Sequence, residues 1–147
     1  MFVQYLYMAS SADRPQVKHN DAVVLYIDDD QAQLNLIKLT LEKNGYSVLA
    51  TTNWRHALDL LAAGVDLVIV DYEMPDIQGH ELAIWIKGID PDMPIVLYSG
   101  APNVPEIAKK RTDACIPKDA EPYLLMAAIS NLIMKRRISR NYWRQTS

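Results

Sequence analysis

The sequence predicts an α/β protein built on a doubly wound, five-stranded parallel sheet. Three observations carry this. Short apolar runs rich in β-branched residues, clearest at 23–27 and 67–70, have the unbroken hydrophobicity of strands covered on both faces. Stretches with apolar residues at helical spacing separate these runs. The connections are short, and right-handed crossovers between successive strands then force a largely parallel sheet with helices on both sides.

Taken in order, Val23 to Ile27 form the first strand, ending in Asp28, Asp29 and Asp30. Asp30 is placed to cap a helix carrying Leu34, Ile37 and Leu41, which Asn44-Gly45 stops. Tyr46 to Thr51 read as a short strand. Asn53 can cap a helix through Trp54, Ala57, Leu58 and Leu61, ended by Gly64. The central strand follows and ends at Asp71, after which Pro75, Asp76 and Gly79 mark a loop. Gly79 to Ile89 is the next helix, stopped before Pro91. Pro94 to Tyr98 is the fourth strand, closed by Ser99-Gly100. Two prolines between 102 and 111 leave room only for a short or irregular helix. Ala114 to Ile116 is the fifth strand, and a last helix from about Ala120 runs into Lys135, Arg136, Arg137, Arg140 and Arg144. The expected strand order is the flavodoxin-like 2-1-3-4-5, which joins strands one and three at the switch point. Residues 1–21 read as an N-terminal extension, 22–134 as the domain and 135–147 as a basic C-terminal tail.

Composition narrows the class. A chain of 147 residues, 50% hydrophobic and 22% charged, suits one globular domain. The net charge of -3 argues against a protein that coats nucleic acid, and no second run is long enough for a helix-turn-helix. The basic end reads as a solvated helix terminus, where cations suit the dipole. Cys115 is the single cysteine, which excludes an internal disulfide and a zinc cage built on thiolates and fits a reducing compartment. No apolar run approaches the roughly twenty residues that span a bilayer. A cytoplasmic protein without a nucleic-acid or membrane partner is expected.

In this topology the carboxyl ends of strands one, three, four and five converge, bringing Asp28, Asp29, Asp71, Ser99 and Lys118 to one crevice. Crowded carboxylates raise one another's pKa unless a cation neutralises them, and Mg2+ is the natural one because it takes hard oxygen donors from one or two carboxylates together with phosphate oxygens. A hydroxyl and an ammonium beside it would stabilise a transferring phosphoryl group, with a carboxylate as nucleophile.

The stretch from Ala22 to Ile133 resembles the receiver domain of two-component response regulators. The resemblance rests on the acidic pair Asp28 and Asp29, the motif DYEMPDIQG over 71–79, Ser99-Gly100 after the fourth strand and Lys118 after the fifth. It implies that Asp71 accepts a phosphoryl group from a phosphohistidine on a histidine kinase or histidine phosphotransfer protein, the chain catalysing only its own phosphorylation and dephosphorylation. It also implies that Asp29 and Asp71 ligate Mg2+ directly, with Asp28 acting through water and Glu73 through its backbone carbonyl. Ser99 and Lys118 would hold the phosphoryl oxygens. No output domain is visible, so the chain reads as a stand-alone receiver whose downstream reader is another protein, and a homodimer stays open.

The pattern departs from the family at three places. Pro117 precedes Lys118 where a proline usually follows the lysine, Cys115 stands where an aromatic switch residue is expected, and the segment between Ser99 and Lys118 is shorter than usual and proline-rich. One competing reading is therefore a degenerate receiver that binds partners independently of phosphorylation. Another is a haloacid-dehalogenase-type phosphatase, because Asp28-x-Asp30 after an apolar strand superficially resembles that nucleophile motif. Its further acidic pair should follow the lysine, whereas Asp71 precedes both Ser99 and Lys118.

Overall fold

The computed structural model describes residues 22–147; the extension expected over 1–21 lies outside the described residues. Strands β1 (Val23–Ile27), β2 (Ser47–Thr51), β3 (Leu67–Asp71), β4 (Ile95–Ser99) and β5 (Ala114–Pro117) alternate with helices α1 (Gln31–Lys43), α2 (Trp54–Leu60), α3 (Gly79–Ile89), α4 (Glu106–Lys110) and α5 (Pro122–Thr146). The strands pair in the order β2-β1-β3-β4-β5, every pair parallel. Both expectations, element sequence and topology, are met.

Strand alternation divides the core into two layers. Val24, Tyr26, Leu67, Ile69, Val96 and Tyr98 point to one side, where Leu34, Ile37 and Leu41 of α1 and Leu125, Ile129 and Ile133 of α5 cover them. Leu25, Ile27, Val68, Val70 and Ile95 point to the other, beneath Ala57 of α2 and Leu82, Ala83 and Ile86 of α3. Each fully buried aliphatic side chain contributes about 1.5–3 kcal/mol. The two caps read from sequence are made: Asp30 Oδ1 accepts the Ala32 and Gln33 N–H groups at 3.0 and 3.2 Å, and Asn53 Oδ1 accepts those of Arg55 and His56 at 2.9 and 3.3 Å. Such a cap is worth about 1 kcal/mol. Gly64, at φ +88°, ends the 3-10 turn Leu61–Ala63 after α2, in a conformation that a Cβ would oppose.

As expected, the last helix continues through the basic residues, α5 reaching Thr146. One feature differs from the expectation: the basic run is not solvated throughout. Arg136 continues the buried stripe of Leu125, Ile129 and Ile133, and its Nη2 donates to Asp90 Oδ2 at 2.8 Å with only 6% of the side chain exposed.

Candidate functional site at the carboxyl edge of the sheet

Register sets the site. Ile27 pairs with Val70, so Asp28 and Asp71 come level at adjacent strand ends. Asp71 pairs with Tyr98 and Ser99 with Pro117, and the Lys118 N–H donates to the Ser99 carbonyl at 2.7 Å, which brings the lysine over the same edge. The loop after Asp71 returns sharply, with Gly79 N–H donating to the Tyr72 carbonyl at 2.9 Å. A Cβ on Gly79 would collide with the Asp71 carbonyl oxygen and lie 2.9 Å from Leu97 Cδ1, so only glycine lets α3 start this close to the site.

Asp28 has no exposed surface. Its Oδ2 accepts the Tyr26 hydroxyl at 2.6 Å and Lys118 Nζ at 2.8 Å, and its Oδ1 accepts the Asp30 N–H at 3.0 Å. Lys118 Nζ also lies 3.1 Å from Asp71 Oδ1. Asp71 is 5% exposed, whereas Asp29 beside it is open to solvent. One oxygen each from Asp28, Asp29 and Asp71 lies within 4.8 Å of the others. Ser99 is buried at the end of β4, its Oγ accepting the Ala101 N–H at 3.0 Å. Glu73 sits exposed in the loop two residues past Asp71. The structure thus gathers Asp28, Asp29, Asp71 and Lys118 into one cluster, with Ser99 at the neighbouring strand end.

The electrostatics follow from this crowding. Burial, with the charge of Asp28 behind it, pushes the Asp71 carboxyl up to about 7, and Lys118 only partly opposes the shift. Burial alone would lower Lys118, but its bonds and charge contacts with Asp28 and Asp71 outweigh that and hold the ammonium above its ordinary value. Three carboxylates face one ammonium. Hard oxygen donors in excess of their counter-charge match Mg2+.

Two members of the site were not among the candidates read from sequence. Tyr26 reaches Asp28 from inside the sheet, and Tyr98 lies beneath Lys118, its ring centroid 5.7 Å from Nζ. The signal was present: a tyrosine two residues before an aspartate in an otherwise aliphatic strand leaves by the same face as that aspartate.

A small doubly wound module with a cation-seeking acidic cluster at its carboxyl edge is the class that fold and site define. The sequence model of the response regulator receiver domain matches residues 24–130, and the chain belongs to that family. Among relatives, the autoinducer 1 sensor kinase/phosphatase LuxN of Vibrio harveyi is 28% identical over 131 residues, 87% of this chain and 15% of LuxN. The response regulator SaeR of Staphylococcus aureus is 25% identical over 115 residues, 76% of this chain and 50% of SaeR. The chain thus spans half or less of these relatives. The crystal structure of the response regulator TrrA from Thermotoga maritima, in complex with Mg2+ and BeF, superposes with a TM-score of 0.71 at 28% identity, covering 76% of this chain and 98% of that one. The phosphatase reading of Asp28-x-Asp30 finds no support, since Asp30 caps α1 and Asp28 is bound to Tyr26 and Lys118.

Proposed function

We propose that Asp71 is the phosphoacceptor, taking a phosphoryl group from a phosphohistidine on a histidine kinase or histidine phosphotransfer protein. An Asp71 carboxylate oxygen forms the new bond to phosphorus while the phosphorus–nitrogen bond of the donor breaks, the electron pair staying on the imidazole. Asp29 and Asp71 would hold Mg2+ directly, with Asp28 through water and Glu73 through its backbone carbonyl. The ion supplies charge neutralisation around the phosphoryl oxygens. Lys118, already between Asp28 and Asp71, would pair with a phosphoryl oxygen, and the Ser99 hydroxyl would donate to another. The observation that carries this reading is the convergence of three carboxylates and one lysine on a single strand edge, with Asp71 buried between them.

The chain turns over no external substrate in this reading; it promotes only its own phosphorylation and hydrolysis. Its state would be read by a downstream protein or a second copy of the chain, in the cytoplasm where a kinase would present its phosphohistidine. Among the described residues no helix is long and apolar enough to cross a membrane. Acetyl phosphate with Mg2+ should label the chain once, at Asp71, and Asp71→Asn should abolish the label while the domain stays folded. Equal labelling of the variant would overturn the assignment to Asp71, whereas no labelling of the wild-type chain would favour the degenerate, phosphorylation-independent module.

A further inference from the structure

Tyr26 is fully buried in β1, on the face covered by α1 and α5. Its ring meets Tyr98 edge to face at 6.4 Å and 61°, and Tyr98 in turn underlies Lys118. The phenol donates to the same Asp28 oxygen that receives Lys118 Nζ. With the Asp30 N–H on Oδ1, three of the roughly four lone-pair sites of this carboxylate are occupied by protein donors. Burial and the adjacent Asp28 carboxylate raise the phenol far above its ordinary range, so it stays a donor.

We propose that the Tyr26 hydroxyl is a positioning group for the cation site: by donating to Asp28 it withdraws charge from that carboxylate and commits it to Lys118, leaving Asp29 and Asp71 as the direct ligands. The inference rests on the assignment of those two residues to Mg2+ and adds what keeps Asp28 out of the ligand set. Without the hydroxyl, Asp28 carries its full charge on an open lone pair, which makes it a stronger competitor for a cation.

Tyr26→Phe isolates the hydroxyl, because ring volume and the edge contact with Tyr98 are kept. In a calorimetric titration of the unphosphorylated chain, Mg2+ should bind Tyr26→Phe about threefold to tenfold more tightly than wild type, a fraction of what a hydrogen bond to a charged group is worth. In an Asp28→Asn background the same substitution should leave affinity unchanged, because the group it acts through is gone. A role in packing alone would move the melting temperature and neither of these readouts. Unchanged or weaker binding by Tyr26→Phe, or an effect that persists with Asp28→Asn, overturns the inference while leaving the site assignment intact. A wild-type chain that binds no Mg2+ overturns both.

Discussion

The two edges of the sheet use the same ingredients to opposite ends. At the amino edge three carboxylates are matched: Asp66 Oδ2 accepts the Val23 N–H at 2.7 Å, Asp113 Oδ2 accepts the Ile95 N–H at 2.8 Å and Lys87 Nζ at 2.7 Å, and Asp90 pairs with Arg136. Burial would push Asp90 up, but the bond and charge of Arg136 outweigh it and leave this carboxyl below its usual value. At the carboxyl edge three carboxylates cluster with one lysine, which pairs with Asp28 and Asp71 only, and Asp71 is driven up to about 7. A matched pair fixes structure and asks for nothing further. An unmatched cluster costs stability and so stores affinity for whatever neutralises it.

The largest effect that separates the edges should appear in metal-free stability against pH. Below the ordinary carboxylate value Asp71 is protonated in both folded and unfolded chains and contributes no difference. Between that value and about 7 the folded chain keeps a proton that the unfolded chain has lost, so stability falls as pH rises, by about 1.4 kcal/mol per unit. Asp71→Asn lacks this term. The wild-type chain should therefore lose stability relative to the variant across that window in urea titrations, and Mg2+ should flatten the difference; parallel curves would break the comparison. At the amino edge, Asp90→Ala strands the buried Arg136 guanidinium and should cost about 3 kcal/mol in thermal unfolding with Mg2+ affinity unchanged. A neutral result there would mean that the pair fixes nothing.

The smallest effect concerns how far the site is felt. Cys115 packs against the cluster of Tyr72, Leu97 and Ala108 and has no ring of its own to follow a movement of Ser99. A ligand shifts a conformational equilibrium only through its differential contacts. A beryllofluoride-Mg2+ complex should protect the loops 71–79 and 99–105 from amide exchange while changing 114–133 little. Strong new protection along α5 would show that another side chain, Tyr98 or Tyr123, carries the change.

The fold was legible because its signals are local. Apolar runs, the caps Asp30 and Asn53 and the stop at Gly64 each act within a few residues, and the topology follows from short crossovers. The residues of the cluster were legible because each lies at a strand end. What escaped was partnership across the fold. Arg136 looked like one of several cations at a helix end, although its phase with Leu125, Ile129 and Ile133 places it on the buried stripe, and its partner Asp90 lies 46 residues away. Tyr26 read as one more apolar strand residue, although its two-residue spacing from Asp28 puts its hydroxyl on the face of that carboxylate. Pro117 fits β5 without penalty because that strand is the edge of the sheet.

The central claim is that the carboxyl edge is completed by Mg2+ and a phosphoryl group on Asp71, and 19F NMR with beryllofluoride tests it most directly. Bound fluorine resonances should appear for the wild-type chain only when Mg2+ is present, and should be absent from Asp71→Asn under the same conditions. Bound resonances in the variant, or their full formation without Mg2+, would contradict it.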